Sequence, residues 1–291
     1  MTLSSNSPVA VITGASAGIG KSAARMLVAK GWQVIGTGRD PERSSAAIAE
    51  IEAAAQGGGS FTMLRGDFDS MAEVTRLASE ITALTPRIDV LVNNAGGVRD
   101  RIIITPEGTE ATFAANHLAP FLLTRSLLPL LKTTAASQPA DTVRVIAVSS
   151  SAHRHGQGFN FDDVQSINAG NAVAAYCQAK LANILFTREL ARQVAADGIT
   201  AQAMHPGVVD SNFASHGDQT MKDHMAAAPA VSPDEPAQTI VWLATDPEGG
   251  RAPGRYFYRK AEETPADAAL DDTAAARLWQ ESEALLAKLG Y

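Results

Sequence analysis

Short runs of aliphatic residues alternate along the chain with longer amphipathic segments. The short runs predict strands at Val9–Thr13, Gln33–Gly36, Phe61–Leu64, Val90–Val92, Val143–Val148, Thr200–Met204 and Arg255–Tyr258. These runs lack the apolar–polar alternation of a half-exposed strand. That is expected when helices cover both faces of a parallel sheet.

Helix-like spacing of apolar residues fills the intervals between these strands. It predicts helices at Ile19–Lys30, Glu42–Ala55, Met71–Leu84, Thr109–Leu131, Ala175–Ala196 and from Ser232 through Leu243. Ser70 is a typical N-cap, and Gly31 is a typical helix stop. The repeated alternation predicts an α/β fold with one doubly wound parallel sheet, a Rossmann fold.

The length of 291 residues would suit two average domains, but no linker or shift in composition divides the chain. We therefore expect a single domain over residues 1–291. The length beyond a compact core lies in a substrate-loop insertion at about 151–175, a lid at about 210–229 and a helical tail at about 265–291. Met221 and Met225 in the lid suit an apolar substrate lining, and helix packing explains them equally well.

Composition and charge narrow the functional classes. Apolar residues make up 45% of the chain, which suits a globular protein, and the net charge of −7 argues against a general nucleic-acid-binding protein. No apolar run is long enough for a membrane span, and no signal segment opens the chain. Because Cys177 is the only cysteine, we expect no thiolate metal cluster, no metal site and a cytoplasmic location.

A glycine-rich turn, Thr13-Gly14-Ala15-Ser16-Ala17-Gly18-Ile19-Gly20, joins the first predicted strand to the first predicted helix. Free backbone N–H groups and the positive end of a helix favour binding of a dinucleotide pyrophosphate there. Glycine lets the backbone approach the phosphates, and Gly20 permits close packing of helix on strand. The candidate cofactor residues in this turn are Gly14, Ser16, Gly18, Ile19 and Gly20.

The same turn also fits G-x-S-x-G, the nucleophile elbow of α/β-hydrolases, with Ser16 as nucleophile. That elbow requires earlier strands, one of which carries an oxyanion-hole loop. Only one predicted strand precedes Ser16, so dinucleotide binding is the favoured interpretation.

Arg39 ends the second strand, at the position that discriminates between the two nicotinamide dinucleotides. An acidic residue there would bind the ribose 2′-hydroxyl of NAD, whereas an arginine would bind the 2′-phosphate of NADP. Arg39 therefore favours NADP. The neighbouring Asp40 leaves NAD open, and a solvated charge pair is the structural alternative.

Tyr176 and Lys180 are four residues apart in a predicted helix, so both can lie on one face. A nearby ammonium stabilises a phenolate and lowers the pKa of the phenol, which makes tyrosine a usable general acid or base. A lone Y-x-x-x-K pair is usually an exposed helix face. Here it follows the dinucleotide-type turn and a strand that ends in Ser149-Ser150-Ser151.

With these motifs together, nearly the whole chain resembles the short-chain dehydrogenase/reductase family. The matching segments are Thr13–Gly20, Asp67-Phe68, Asn93-Asn94-Ala95-Gly96, Asn116, Val148-Ser149-Ser150, Tyr176 with Lys180, and Pro206-Gly207. More narrowly, the chain looks like the retinol-dehydrogenase-like branch, which includes WW-domain oxidoreductases. The segments that carry this are Asn116-His117-Leu118, Val148–His153, Tyr176–Arg192 and His205–Val209. No WW domain or N-terminal anchor is visible, so the resemblance does not imply membrane retinoid chemistry.

The resemblance implies a catalytic role for four residues. Tyr176 would exchange a proton with the substrate oxygen, and Lys180 would lower the tyrosine pKa and hold the nicotinamide ribose. Ser150 would hydrogen-bond the substrate oxygen, although the neighbouring serines make a misassignment by one residue conceivable. Asn116 would anchor a water-mediated proton relay, or stabilise a kink in its helix, or both.

The resemblance also implies cofactor contacts beyond the glycine turn. Asp67 and Phe68 would contact adenine, Asn94, Ala95 and Gly96 would line the adenosine ribose, and Val209 would contact the nicotinamide amide, next to Pro206 and Gly207. There are two departures from the family pattern. Ala17 stands where many NADP-dependent members carry a basic residue, and Ser211 replaces a threonine after Pro-Gly.

These features predict an NADP-dependent oxidoreductase that interconverts a carbonyl and an alcohol, with an apolar small-molecule substrate. The alternative is an NAD(P)-binding regulatory protein without significant catalysis. A homodimer through the long helices is compatible with the sequence, and so is a monomer. His153 and His155 lie two residues apart but lack further metal ligands.

Overall fold

The computed structural model describes residues 7–211, 213, 215, 217–251 and 253–291. Within them the strands are β1 (Val9–Ile12), β2 (Gln33–Gly38), β3 (Ser60–Arg65), β4 (Val90–Asn93), β5 (Val143–Val148), β6 (Ile199–Met204), β7 (Tyr256–Tyr258) and β8 (Ala261–Glu262). They form one sheet in the order β3-β2-β1-β4-β5-β6-β7-β8. β1 to β7 pair in parallel, and β8 is antiparallel to β7.

Helices connect the parallel strands. They are α1 (Gly18–Val28), α2 (Pro41–Glu52), α3 (Met71–Leu84), α4 (Ala111–Phe113), α5 (Ala119–Ala135), α6 (Ala172–Val194), α7 (Gln219–Ala227), α8 (Asp234–Thr245), α9 (Pro247–Gly250) and α10 (Asp272–Leu289). Ser70 caps α3 by accepting the N–H of Glu73, as predicted. This arrangement confirms the doubly wound Rossmann fold in one domain.

The core has two layers, one on each face of the sheet, and alternate residues of β1 supply both. Val9 and Val11 pack with residues of α3, α5, α6 and α10 on one face. Ala10 and Ile12 pack with residues of α1, α2 and α8 on the other face. Because both faces of β1 are buried, its sequence shows no polar alternation.

The helix predicted over Thr109–Leu131 differs from the structure in two respects. It begins at Ala111, because the side chain of Glu110 caps it by accepting the N–H of Phe113 at 2.7 Å. A π-helical segment, Ala114–Leu118, then separates α4 from α5. Such segments are rare and often mark functional sites. This one contains Asn116.

The strand predicted at Arg255–Tyr258 is β7, and it lies inside the sheet rather than at its edge. β7 pairs with β6 on one side and with β8 on the other. Arg259 and Lys260 join β7 to β8 with φ values of 49° and 63°. Two positive φ values are typical of a tight hairpin turn, for which Arg-Lys is an uncommon sequence.

The three segments predicted as additions to the core have distinct structures. The insertion at 151–175 contains a 3₁₀ helix (Ser151–Arg154) and a run of turns before α6 begins. The predicted lid at 210–229 contains α7, and its residues Asn212, Ala214 and His216 lie outside the described residues. The tail contains a 3₁₀ turn (Asp267–Leu270) and α10. In the described part of the chain, no helix has the length and apolar character needed to cross a membrane.

Candidate active site

A groove of about 300 Å³ lies along the carboxyl ends of the strands, where the strand order reverses between β1 and β4. In doubly wound sheets this reversal opens a crevice in which ligands bind. The groove brings together most of the predicted site residues: Gly14, Ser16, Gly18, Ile19, Arg39, Asp67, Phe68, Asn94, Ala95, Gly96, Tyr176, Lys180 and Pro206.

The glycine turn presents backbone to the groove. α1 begins at Gly18 after Ala17, which cannot cap it, and its first turn carries no acidic residue. Because the first N–H groups of a helix have no partner within the helix, this end attracts an anion. Gly14 and Gly18 have φ values of +69° and +54°, a conformation in which glycine is favoured.

Gly20 does not line the groove but packs behind the turn. A Cβ at this position would lie 2.4 Å from the carbonyl oxygen of Gly14 and 2.5 Å from Nδ2 of Asn94. That nitrogen donates to the carbonyl oxygens of Thr13 at 2.8 Å and Gly14 at 3.3 Å. Gly20 therefore allows α1 to approach the strand ends, as its position in the motif predicted.

Arg39 lies at the groove with its side chain partly exposed. Its Nη1 is 3.7 Å from Asp67 Oδ1 and 3.8 Å from Asp69 Oδ2, so both ion pairs are long. Asp40, which had left NAD open, accepts the N–H of Arg43 at 2.8 Å as the N-cap of α2. That backbone hydrogen bond lowers the pKa of Asp40. The Asp40 carboxylate thus has a structural partner in α2.

The far end of the groove is lined by Asp67 and Phe68, with Asp69 and Arg99 beside them. Arg99 Nη2 donates to both carboxylate oxygens of Asp69, at 2.6 and 2.8 Å. Burial raises the pKa of Asp69, and the positive charge of Arg99 opposes that rise. This ion pair joins the loop after β4 to the loop after β3.

Asn116 is buried and holds the loop after β4 against the π-helical segment. Its Oδ1 accepts the N–H of Gly97 at 3.1 Å, and its Nδ2 donates to the carbonyl oxygens of Gly97 at 2.9 Å and Thr112 at 2.8 Å. A Cβ on Gly96 would lie 2.4 Å from Asn116 Oδ1 and 3.6 Å from Lys180 Nζ. Asn116 therefore fixes backbone next to Lys180 and stabilises its irregular helix.

Ser149 and Ser150 end β5 and have different partners. The Ser149 hydroxyl is buried and donates to the backbone oxygen of Lys180 at 2.7 Å. The Ser150 hydroxyl faces that of Tyr176, whose pKa it lowers, and accepts the N–H of Ala152 at 3.2 Å. Ser150 is thus the serine that faces the tyrosine, whereas Ser149 lines the groove.

Tyr176 lies on α6 with its ring 6% exposed and packed on the ring of Phe213 at a centroid distance of 5.3 Å. Burial raises the pKa of Tyr176 above its usual range, and the hydrogen bond from Ser150 partly opposes this. The sequence had predicted a lowered pKa. In this geometry desolvation dominates, because it disfavours the charged phenolate.

Lys180 lies one turn further along α6, with its Nζ 5.5 Å from the centroid of the Tyr176 ring. The ammonium donates to the backbone oxygen of Val148 at 3.0 Å. Burial lowers the pKa of Lys180 to about 8. The predicted pair therefore shares one face of α6, and Lys180 lies beneath the tyrosine rather than bonded to its hydroxyl.

Gly207 and Val209 follow β6 and support the groove without lining it. Gly207 has φ of +73°, and a Cβ there would lie 3.3 Å from the Tyr258 ring. Val209 is buried and forms an isolated bridge with Val231. Gly207 and Val209 thus contact Tyr258 and Val231, and neither residue lines the groove.

Several groove residues have no counterpart among the predicted ones: Thr37, Gly38, Arg43, Gly97, Arg99, Phe213 and Ser215. Thr37 and Gly38 were missed because β2 continues two residues beyond its predicted end. Arg43 could have been found, since Pro41 is a typical first residue of a helix and places Arg43 in the turn nearest Arg39. Phe213 belongs to no motif.

Comparison with known proteins agrees with this architecture. Residues 8–222 match the family model for short chain dehydrogenases. Human retinol dehydrogenase 14 is 36% identical over 296 residues, which cover 96% of this chain and 86% of that protein. Mouse polyprenol dehydrogenase is 36% identical over 278 residues, covering 94% and 82% respectively.

Solved structures show the same similarity. A Mycobacterium Paratuberculosis protein superposes with a TM-score of 0.75 at 30% identity, covering 98% of this chain and 95% of that one. The NADP complex of Pseudomonas aeruginosa RhlG superposes with a TM-score of 0.69 at 27% identity, covering 88% and 95%. The protein therefore belongs to the short-chain dehydrogenase/reductase family, in its retinol-dehydrogenase-like branch, and is an oxidoreductase.

Proposed function

We propose that the protein is an NADP-dependent oxidoreductase that interconverts an apolar ketone or aldehyde and the corresponding alcohol. The observation that carries the proposal is the constellation of Ser150, Tyr176 and Lys180 beside the groove. The Ser150 hydroxyl faces that of Tyr176, the tyrosine ring lies over the buried Lys180, and Tyr176 and Lys180 line a groove suited to a dinucleotide.

The groove fits a nicotinamide dinucleotide because its walls allow close approach to backbone. The uncapped start of α1 suits the pyrophosphate, with Gly14, Ser16, Gly18 and Ile19 around it. Asn94, Ala95 and Gly96 would line the ribose, and Asp67 and Phe68 the adenine. A Cβ on Gly96 would meet Asn116, so this wall is built on glycine. When bound, the dinucleotide exchanges a hydride with the substrate carbon.

The proton chemistry belongs to Tyr176 and Ser150. Because burial raises its pKa, the Tyr176 hydroxyl holds its proton at neutral pH and can donate it to the oxygen of a carbonyl during reduction. In the oxidation direction the phenolate receives the proton from the alcohol. The Ser150 hydroxyl, which faces Tyr176, hydrogen-bonds the substrate oxygen.

Lys180 and Asn116 support this exchange. When Tyr176 gives up its proton, the ammonium of Lys180 stabilises the phenolate left behind. With a pKa of about 8, Lys180 can also lose and regain a proton near neutral pH. Asn116 holds the Gly97 backbone in place next to it and is the proposed start of the proton relay to solvent.

A preference for NADP is supported by two arginines at the end of β2. Arg39 has only long ion pairs, and Arg43 lines the same part of the groove. Asp40, the residue that would favour NAD, caps α2 instead. Together the arginines provide the charge and donors that a 2′-phosphate requires.

An apolar substrate is supported by Phe213 on the ring of Tyr176 and by the names of the relatives, since retinol and polyprenol are apolar alcohols. The location proposed is the cytoplasm, in keeping with one buried cysteine. That the insertion and the lid form part of the substrate site stays a prediction. A homodimer also stays a prediction.

The decisive experiment is Tyr176→Phe assayed against a panel of apolar aldehydes, ketones and alcohols with both cofactors. Removing one hydroxyl should lower kcat on the order of 10³-fold, because no proton donor remains, while Kd for NADPH changes less than about threefold. Tyr291→Phe is the matched control, since its hydroxyl contacts Glu107 away from Tyr176.

Two outcomes would contradict the proposal. Turnover by Tyr176→Phe within about tenfold of the wild type would exclude the tyrosine as proton donor. Tight NADPH binding by the wild-type protein without turnover of any compound would favour the alternative, a cofactor-binding regulatory protein.

A further inference from the structure

His153 is a buried histidine that the proposed chemistry does not use, although it lies three residues after Ser150. It is 2% exposed and belongs to the 3₁₀ helix that follows β5. Its backbone N–H donates to the carbonyl oxygen of Ser150 at 3.2 Å, and its ring Nδ1 lies 2.7 Å from the same oxygen. The imidazole therefore binds the backbone of the serine that faces Tyr176.

The two ring nitrogens of His153 have opposite kinds of partner. The Ser150 carbonyl oxygen can only accept, so Nδ1 must carry a hydrogen. On the other side, the backbone N–H of Ala266 donates to Nε2 at 3.0 Å, so Nε2 must present its lone pair. Only the neutral imidazole with hydrogen on Nδ1 satisfies both bonds. Burial, which lowers the pKa of His153, also favours the neutral ring.

The segment that contains Ala266, whose N–H binds Nε2, also contacts the loop after β5 through Arg154. Arg154 Nη2 donates to Glu263 Oε1 at 2.5 Å and to the backbone oxygen of Thr264 at 2.7 Å. Glu263 also pairs with Nε2 of His205, at 3.0 Å. Ala266 therefore follows a short segment after β8 that is held by Arg154 and His205, more than one hundred residues from His153 in sequence.

Aromatic packing restricts rotation of the His153 ring. The ring of Tyr256 on β7 meets it edge-on, with centroids 5.0 Å apart and planes at 70°. The Tyr256 hydroxyl lies 3.4 Å from Nδ1, a longer contact than the one to Ser150. The imidazole is thus fixed in position, orientation and tautomer.

We propose that His153 is a positioning residue for Ser150, and that the Ala266 N–H sets the tautomer in which it acts. The Nδ1–H group holds the Ser150 carbonyl and thereby orients the hydroxyl that contacts Tyr176. The C-terminal segment takes part in the active site through this one backbone N–H. The inference rests on the proposed function, in which Ser150 holds the substrate oxygen.

Two substitutions test the roles of the two ring nitrogens of His153 separately. His153→Asn keeps an N–H donor near the Nδ1 position and lacks an acceptor at Nε2. His153→Gln places its amide near the Nε2 position and lacks the donor to Ser150. We expect Asn to retain kcat within about threefold and Gln to lose about tenfold or more, since small misplacement of a reacting group is costly. Kd for NADPH should not change in either variant.

Ala266→Pro tests the other end of the bridge. Ala266 has φ of −62°, which proline adopts without strain, so the substitution removes little besides the N–H. In the wild-type background the freed ring can change tautomer, and kcat should fall about threefold to tenfold. In the His153→Asn background it should have no further effect on kcat, because asparagine has no acceptor for that N–H.

A spectroscopic measurement checks the tautomer independently of activity. In ¹⁵N-histidine-labelled wild-type protein, the resonances lost in His153→Asn should report a protonated Nδ1 and an unprotonated Nε2. His155→Gln is the matched control, because His155 is exposed two residues further on. It should leave these resonances unchanged.

Each outcome supports or overturns the inference. A protonated Nε2, wild-type kcat in His153→Gln, equal loss in Asn and Gln, or additive effects of Ala266→Pro and His153→Asn would each overturn it. Thermal unfolding of every variant separates lost positioning from lost folding. If Tyr176→Phe abolishes turnover while His153→Gln does not reduce it, this inference fails and the proposed function stands. If Tyr176→Phe remains active, the proposed function itself fails.

Discussion

The two sides of the groove are held together by different means. On the cofactor side, the turns after β1 and β4 pack so closely that a Cβ on Gly20 or Gly96 would lie 2.4 Å from the Gly14 carbonyl oxygen or from Asn116 Oδ1, respectively. On the substrate side, the loop after β5 is held by side chains and amides of the C-terminal segment. His153 with Ala266, and Arg154 with Glu263, are examples.

This difference has a physical consequence for how each side tolerates change. Where a glycine is already in van der Waals contact with its neighbours, an added methyl group cannot fit unless the strand ends move. A wall held by side-chain contacts can exchange one contact for another at a cost of about 1 kcal/mol each. The cofactor side therefore tolerates few substitutions, whereas the residues of the substrate side can differ among proteins with the same fold.

Among substitutions that test this difference between the two sides of the groove, Gly96→Ala is expected to have the largest effect. Gly96 has φ of +153°, and the new Cβ would lie 2.4 Å from Asn116 Oδ1. Strain and overpacking together should lower the free energy of unfolding by about 2–4 kcal/mol. Affinity for NADPH should fall as well, because Gly96 lines the groove. Urea unfolding and fluorescence titration with NADPH measure the two effects.

Gly97→Ala is the matched control for the unfolding measurement. No atom lies within 4 Å of a Cβ built on Gly97, so its free energy of unfolding should stay within about 0.5 kcal/mol of the wild type. Equal destabilisation by the two adjacent substitutions would show that close packing around Gly96 is not what holds the cofactor side.

An intermediate effect is expected at the charged end of the groove. Arg39→Ala should raise Kd for NADPH about tenfold, and combination with Arg43→Ala should raise it further, since each removes a charged donor for the 2′-phosphate. Kd for NADH should change less than about twofold. Isothermal titration calorimetry with NADPH and with NADH measures the two Kd values. An equal loss of affinity for both dinucleotides would contradict the NADP preference.

The smallest effect is expected on the substrate side, where α10 contacts the insertion. The guanidinium of Arg277 lies 4.1 Å from the ring centroid of Phe161. A double-mutant cycle of Arg277→Ala and Phe161→Leu should give a coupling energy of about 0.5–1 kcal/mol, as for exposed cation–π pairs. Thermal or urea unfolding of the four proteins supplies it. No coupling would mean that α10 holds the insertion by apolar packing alone.

The glycine turn and the Tyr176–Lys180 pair could be predicted because their geometry is local. Gly14 to Gly20 span one strand end and one helix start, and residues four apart on α6 share a face whatever surrounds them. The choice of Ser150 over Ser149 depends on which hydroxyl faces Tyr176, and the sequence supports that assignment only through resemblance to the family.

Other features could not be predicted, because they depend on contacts between distant segments. The pKa of Tyr176 is raised rather than lowered, since its burial depends on how α6 and Phe213 close over it. The π-helical turn at Asn116 depends on hydrogen bonds to Gly97, nineteen residues earlier. The sequence around Asn116 predicts an ordinary helix.

The sequence by itself determined the sheet and its helices, the glycine turn that suits a dinucleotide, and the tyrosine and lysine on one helical face. Each of these follows from short-range periodicity or from the backbone freedom of glycine. Only the tertiary structure decided which serine faces Tyr176, which arginines share the end of the groove and which segment holds the loop after β5. The serine–tyrosine and His153–Ala266 contacts join residues 26 and 113 positions apart, and no local pattern records which distant groups will be neighbours after folding.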